Sequence, residues 1–440
     1  MKKKIASILL MTTVASSVLS ACGTNSSTNS QSSAGSEAGN KVEVEFWYAG
    51  GKTAVTVVQE IIDEYNASQD TYYVKAVTQA DYGETYEKLQ AGIAGNAAPD
   101  MVLISPSAGR TLNESGLLAD LNAYLTEDVT VKEEDYLEVF AEQGVSESGA
   151  RFGLPAYGTT QVLYYNISAF EKANIDPNSI ATWQDLAAAA KAIKATGEFT
   201  YGWEPMWGPY NLIDASLSNG AKMFSEDGKT VTINSEEWVS VWESFRTWIH
   251  DDEIMAVNSG GQGWEYWYNT IDDVLDNTAG GYTGSSGDQA DLDFNIVQAM
   301  EQPAWDEDST SAPAADALLF SVVETSSKQE KAGAFEFVQF FTNIENQIQW
   351  TKEVGYVAVN KGIATNEEYL SYVKEHPQAL VPFTQASHGS VLPIDPTGGA
   401  IYDALTVAAD QVELENIPAQ KALDTAQKIA QQALVKALNE

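Results

Sequence analysis

The segment "VEVEFW" (42–47) alternates apolar and polar side chains before running into aromatics, and Gly50-Gly51 ends it. A period of two closed by glycines predicts a strand and a tight turn. Val55, Val58, Ile61, Ile62 and Tyr65 then recur at helical spacing, so the next element is a helix. "YYVKAV" (72–77) reads as a second strand, and Tyr86, Leu89 and Ile93 mark a second helix closed by Gly95-Asn96. "MVLI" (101–104) is apolar throughout, which suits the middle of a parallel sheet. Strand, helix, strand, helix, strand is an α/β layer pattern.

The alternation resumes at "VLYYN" (162–166) and in a helix through Trp183, Leu186 and Ile193. "MFSEDGKTVTI" (223–233) sets Asp227-Gly228 between two apolar runs, a hairpin signal. Phe335, Val338 and Phe341 face one side of another helix; Ala422, Ala426, Ile429, Ala433 and Leu438 do so in the last. No fixed-period repeat or internal low-complexity tract interrupts this order. A folded body of about 400 residues predicts two lobes.

The N-terminus has a different pattern. Lys2, Lys3 and Lys4 precede an apolar stretch from Ile5 to Leu19 that holds several Ser and Thr, the charged and apolar regions of an export signal. A spanning helix needs roughly 20 mostly apolar residues, more than this run supplies. Leu19-Ser20-Ala21-Cys22 resembles the bacterial lipobox. That implies a lipoprotein signal peptide over 1–21 and a diacylglycerol thioether on Cys22, which would hold the protein to the outer face of the cell membrane. The plainer alternative is an ordinary signal peptide with an unmodified cysteine at its end. Residues 22–40 are rich in Gly and Ser and read as a flexible tether reaching on the order of 20–25 Å. Cys22 is the only cysteine, so no disulfide closes within the chain and the fold rests on its core.

The formal charge of −38 becomes −41 once the leader, with three lysines and no acid, is gone. A chain this acidic does not bind nucleic-acid phosphates by counterion release. For a small ligand only local charges matter, because screening acts over about 8 Å. Arginine occurs only at 110, 151 and 246. Three histidines (His250, His376, His388) and one cysteine argue against zinc. "DQADLDFN" lacks the glycine and final glutamate of a calcium loop, and no Gly-rich phosphate loop of the G-x-x-x-x-G-K kind opens a helix. Neither metal, cofactor nor ATP hydrolysis is expected.

Four stretches together resemble the extracellular solute-binding proteins that serve ABC importers of sugars. They are "YGETYEKLQAGIAGNAAPDMVLIS" (82–105); "FGLPAYGTTQVLYYNISAFEKANIDP" (152–177) with "TWQDLAAAAKAI" (182–193); "GGYTGSSGDQADL" (280–292); and "KAGAFEFVQFFTNIENQIQWTKEVGYVAVNKG" (331–362). They keep the family's order over nearly the whole mature chain. "PFTQASHGSVLP" and "ALDTAQ" are similar to the branch that binds glycerol 3-phosphate. The resemblance implies a two-lobed α/β fold of the type II periplasmic-binding-protein kind, crossed three times near Pro155–Thr160, Ala314–Ala317 and Gly355–Val359. Lobe one would be 41–156 plus 317–356, and lobe two 157–315 plus 357–440. Ligand would sit between lobes that close by hinge motion, beyond the C-terminal ends of the strands. The protein would act as a monomer and hand a carbohydrate to membrane permease subunits.

A sugar offers hydroxyls and flat C–H faces, so its site needs aromatic plates and hydrogen-bonding side chains. The resemblance puts Tyr82, Thr159, Ser285, Asp316 and Tyr356 at matching positions, Asp316 standing where the family usually has glycine. Tyr48, with Trp47 beside it, and Ser105, with Ser107, follow strands. Trp203 and Trp207 in "GWEPMWGPYN" form a candidate stacking wall. For each aromatic the alternative is core packing, and for Ser105 it is a helix cap. The glycerol-phosphate branch uses an arginine in its C-terminal cleft segment, whereas "SHGSVLPIDPTGGAIYDAL" (387–405) has no Arg or Lys. A phosphate needs a bidentate cation or a cluster of free N–H groups. A neutral mono- or oligosaccharide is therefore favoured over glycerol 3-phosphate or its diester. An anchored glycoside hydrolase would need two carboxylates about 5 or 6.5–9.5 Å apart; among 62 acids such a pair arises by accident, and no catalytic signature is present. A purely structural surface protein would need neither the crossings nor an aromatic cleft.

Overall fold

The computed structural model describes residues 39–146 and 148–439. The leader, Cys22 and nearly all of the tether lie outside the described residues. Among the described residues there are nine strands: β1 (Val42–Tyr48), β2 (Tyr72–Thr78), β3 (Met101–Ile104), β4 (Leu154–Asn166), β5 (Glu204–Pro205), β6 (Gly281–Ser285), β7 (Val297–Met300), β8 (Ala314–Val322) and β9 (Ser390–Val391). They join in the order β2-β1-β3-β8-β4-β6-β5, with β7 on β4 and β9 on β8. β1 runs parallel to β2 and β3, and β8 pairs antiparallel with both β3 and β4.

The first helix, Lys52–Ser68, buries Val57, Val58, Ile61, Ile62 and Tyr65 along the face its spacing predicts. Trp183–Ala195 and Lys328–Phe341 each begin with a capping box, Thr182 with Asp185 and Ser327 with Glu330, satisfying two orphan N–H groups apiece. Two expectations change. In the last helix, Ala419–Ala437, the buried stripe is Ala422, Leu423, Ala426, Ala430 and Leu434, while Ile429 and Leu438 are about half exposed. Small residues at spacings of four let this helix lie close against Ala400–Glu413. The 223–233 hairpin makes its turn, but its ladder is one bridge, Phe224 to Val231. Gln431 accepts from the Val231 N–H and Gln427 donates to its carbonyl, so side chains of the last helix take the groups a second strand would use.

The molecule is a mixed α/β protein of two lobes. Its first core draws on β1, β3, β8 and the start of β4, with Phe46, Phe320, Phe337, Phe341 and Trp350 buried in it. Another draws on Leu163, Trp183, Trp203, Trp238, Trp242 and the last two helices; Val162, Tyr164, Ile271 and Tyr282 form a third beside it. β4 passes from one to the other: Leu154 to Thr160 pair with β8, and Gln161 to Tyr165 pair with β6. The three predicted crossings lie side by side. Gly158 faces Ala317, Thr159 faces Asp316, and Gly158 also bridges Val357. A Cβ on Gly158 would sit 2.1 Å from the Phe140 ring, so only glycine fits there. Buried amides pin the change-over: Gln385 donates to Thr160 Oγ1 (2.7 Å) and Gln161 O (2.6 Å), and Gln302 donates to Gln161 O (2.7 Å) and Asp214 (2.8 Å). Beyond the third crossing, Ala358, Ile363 and Tyr369 pack with Ile348 of the helix Ile344–Val354.

Candidate functional site

At the crossings the chain gathers hydroxyls and aromatic rings. Thr159, on β4, has its Oγ1 3.3 Å from Ser285 Oγ and 3.5 Å from Ser286 Oγ. Ser285 ends β6 and caps the turn Ser286–Asp291, its Oγ accepting from Gly287 N at 3.1 Å; Tyr164 OH donates to its carbonyl. Tyr356 follows Gly355, which ends the helix Ile344–Val354 at φ 93°. A Cβ on Gly355 would lie 2.7 Å from Ser286 O, so both the backbone angle and the close approach require glycine. Tyr356 stacks on Tyr157 at 4.8 Å, and Tyr157 lies 4.7 Å from Trp350. The Tyr356 hydroxyl lies near the side chains of Ser285 and Tyr82; Tyr82, opening the helix Tyr82–Gly95, has its hydroxyl 3.5 Å from that of Tyr157. Burial raises all three tyrosine pKa values, so these hydroxyls stay neutral and donate or accept.

Acidic groups complete the site. Asp316 stands opposite Thr159, and one of its oxygens accepts from Ala317 N at 3.0 Å. Burial pushes its pKa up to about 6. Asp288 is buried in the Ser286–Asp291 turn and accepts from Trp267 Nε1 (2.8 Å) and Tyr282 OH (3.1 Å). Burial pushes it to about 8 even though both hydrogen bonds act the other way.

The structure therefore brings together Tyr82, Thr159, Ser285, Asp316 and Tyr356. Trp207 stands apart from this group, its Nε1 donating to Asp410 and its ring edge-on to Tyr266 at 5.1 Å. Tyr48 and Trp203 are interior: Tyr48 stacks on Phe46 in the first core, and Trp203 donates to Thr283 in the second. At 2 % and 0 % exposure neither offers a face to a ligand. Ser105 caps the helix Pro106–Glu114, accepting from Ala108 N, and its Oγ lies 3.2 Å from Ser107 Oγ. Sequence reasoning passed over Tyr157, Asp288, Tyr266 and Trp267. Tyr157 and Asp288 sit inside the quoted "PAYGTT" and "SSGDQAD" segments, and "GWEYWYN" (263–269) carried a signal in its density of aromatics.

None of the grouped residues is a cation, and the arginines are engaged elsewhere. Arg110 donates to Val145 O, buried Arg151 to Ala141 O and Glu133, and Arg246 to Glu243, Asp251 and Asn416. His388 holds Glu301 at 2.6 Å. Among the described residues no three His, Cys, Asp or Glu side chains group as metal ligands, and no helix is long and apolar enough to cross a membrane.

Residues 60–379 match the model of a family described as bacterial extracellular solute-binding protein. The sn-glycerol-3-phosphate-binding periplasmic protein UgpB of Escherichia coli K12 is 24 % identical over 418 residues, covering 89 % of this chain and 92 % of that one. Two solved structures share the fold. UgpB from Mycobacterium tuberculosis, in complex with glycerophosphocholine, has a TM-score of 0.79 at 18 % identity over 90 % of this chain and 99 % of that one. The cyclic alpha-maltosyl-1,6-maltose binding protein of Arthrobacter globiformis has a TM-score of 0.74 at 20 % identity over 90 % and 100 %.

Proposed function

This chain belongs to the bacterial extracellular solute-binding protein family, and from that premise we propose that it captures a neutral sugar or oligosaccharide for an ABC importer. It is a binding protein and not an enzyme. The ligand sits where Tyr82, Thr159, Ser285, Asp316 and Tyr356 converge, between lobe one (41–156 plus 317–356) and lobe two (157–315 plus 357–440). The packing of Ile363 and Tyr369 on Ile348 supports giving residues 357–376 to the first lobe instead. Trp207 lines the second-lobe wall. Cys22 carries the lipid that keeps a monomeric protein beside its permease.

One observation carries the choice of ligand. The converging groups are hydroxyls, rings and carboxylates, while every arginine is held by other partners. Hydroxyl-rich neutral ligands hydrogen-bond to such a set and lay C–H faces on rings; a phosphate finds no free arginine there, and the cation whose charge reaches the Ser286–Asp291 turn is Lys52, at the start of the helix Lys52–Ser68. The second reading, glycerol 3-phosphate or a diester of it, draws support from the likeness to UgpB.

A thermal-shift screen of mono-, di- and oligosaccharides beside glycerol 3-phosphate and glycerophosphocholine decides between them. A ligand at a hundredfold excess over Kd stabilises by about 2.7 kcal/mol, a clear rise in midpoint. A large shift with a glycerol phosphate and none with any sugar would sink the neutral-sugar assignment. Release of a sugar product would instead revive hydrolysis.

A further inference from the structure

Three of the exposed large apolar side chains among the described residues are aromatic: Tyr210 at 50 %, Trp264 at 49 % and Tyr268 at 44 %. Trp264 and Tyr268 belong to one element of the second lobe, the helix Glu265–Leu275 and its N-cap. Trp264 stands at the start of the helix Glu265–Leu275, delivered by "NSGGQG", where Gly260, Gly261 and Gly263 have φ of 80°, 84° and 58°. Its backbone is held, because Trp264 O accepts from Trp267 N and Tyr268 N at 3.1 and 3.2 Å. Trp264 and Tyr268, four apart, share a helix face. A large ring kept in water on an ordered backbone gains nothing from packing, and a cluster of such rings marks a contact surface.

These rings continue from the candidate site. Ser285 leads into the turn whose Asp288 holds Trp267 Nε1 at 2.8 Å. The Trp267 ring lies edge-on to Trp264 at 6.0 Å and to Tyr266 at 6.2 Å, and Tyr266 reaches Trp207 at 5.1 Å. The row thus runs from Trp207 through Tyr266 and Trp267 to Trp264, with Tyr268 alongside. Its inner members are anchored by indole N–H bonds to Asp410 and Asp288; its outer members are open.

We propose that Trp264 and Tyr268 form an outer platform for further sugar units of a ligand whose first units occupy the site at Thr159, Ser285 and Tyr356, so that this chain takes an oligosaccharide and not a monosaccharide. The inference rests on the carbohydrate reading above. The occupant is set by continuity: sugar units beyond the first still present apolar C–H faces, and the exposed Trp264 and Tyr268 lie one contact beyond Trp267, which Asp288 holds at the edge of the polar site.

The test is calorimetric titration of the purified protein and its Trp264→Ala and Tyr268→Ala variants with two probe series, glucose to maltotetraose and glucose to cellotetraose. Both residues are exposed, so the ligand-free melting midpoints should match the parent. Affinity in whichever series binds should rise with length in the parent. Trp264→Ala should weaken tri- and tetrasaccharides about tenfold and shorter members less than twofold; Trp264→Phe should recover most of the loss. Equal loss at every length, or none, overturns the platform and leaves the carbohydrate reading standing. If no member of either series binds while a glycerol phosphate does, the carbohydrate reading falls and the platform with it.

Discussion

The two halves of the molecule bury charge in opposite ways. All five buried carboxylates among the described residues, Glu204, Asp214, Asp288, Asp395 and Glu413, fall in 204–288 and 395–413, which build the second cores and the cleft wall. The stretches 41–156 and 317–356 bury none; their buried charge is Arg151, paired with Glu133 at the surface. No salt bridge reaches the buried acids. Glu204 faces Asp273 and an amide of Asn258, Asp214 takes Gln302 and Ala314 N, and Glu413 takes Gly208 N. Burial, the largest cause in each case, raises Glu204 to about 9, Asp288 to about 8 and Asp214 to about 7, and lifts Glu413 well above the carboxylate range. The first half thus keeps its carboxylates at or near the surface, while the second ties more of its stability to buried carboxyl groups that hold protons.

The largest effect expected on the packing side comes from Phe337, whose ring meets Phe46, Tyr65, Phe320 and Phe341. Phe337→Ala should cost about 3–5 kcal/mol, and the loss in chemical denaturation should be the same at pH 5 and pH 8.5. A loss that grew with pH would erase the contrast between the halves.

Next in size is the pH dependence of the second half. Glu204, Asp214, Asp288, Asp316 and Glu413 have folded pKa values above their unfolded values near 4, so the folded state holds protons more tightly at these groups. Their contribution is full below about pH 4 and is lost as pH climbs through about 6 to 9. Stability should fall between pH 5 and pH 8.5, on the order of several kcal/mol. Glu204→Gln should flatten the curve, leaving the pH 5 midpoint nearly unchanged and raising that at pH 8.5. An unchanged slope in this variant would remove the Glu204–Asp273 pair as a cause.

Smaller effects separate tyrosines of one kind from another. Tyr356→Phe keeps the stack on Tyr157 but loses the hydroxyl near Ser285 and Tyr82. Ligand affinity should drop about five- to tenfold, with little change in the free protein's midpoint. Tyr48→Phe removes a 3.4 Å contact to Val55 O and an interaction with the Thr78 side chain and should change stability by about 1 kcal/mol or less and affinity not at all. Were the Tyr48 variant to lose binding as the Tyr356 variant does, interior and cleft would not be distinct.

The contrast was partly legible beforehand. Strands at 42–47, 72–77 and 101–104 and the helices between them follow from periods of two and 3.6, and the structure keeps them within a residue or two. Segment resemblance singles out Thr159, Ser285 and Tyr356 as candidates, and the structure sets Thr159 beside Ser285. Burial was not legible residue by residue: Trp203 and Trp207 are four apart in one loop, yet Trp203 is packed against Gly281 and Thr283 while Trp207 stays partly open. The last helix shows the same limit, since Ile429 looks like core and is half exposed. Which side of a helix faces inward depends on the neighbour it meets.

The sequence by itself determined the element order, the acidic surface, the scarcity of cations and the family to which the chain belongs. These depend on local sterics, period and composition, which act over a few residues. Tertiary structure alone decided that Tyr356 stacks on Tyr157, that Thr159 meets Ser285 across 126 residues, and that acids of the second half lie buried without a cation beside them. Such contacts arise from the register of β4 against β8 and β6. Register is a long-range packing choice, and a slip of one residue would turn each side chain to the opposite face.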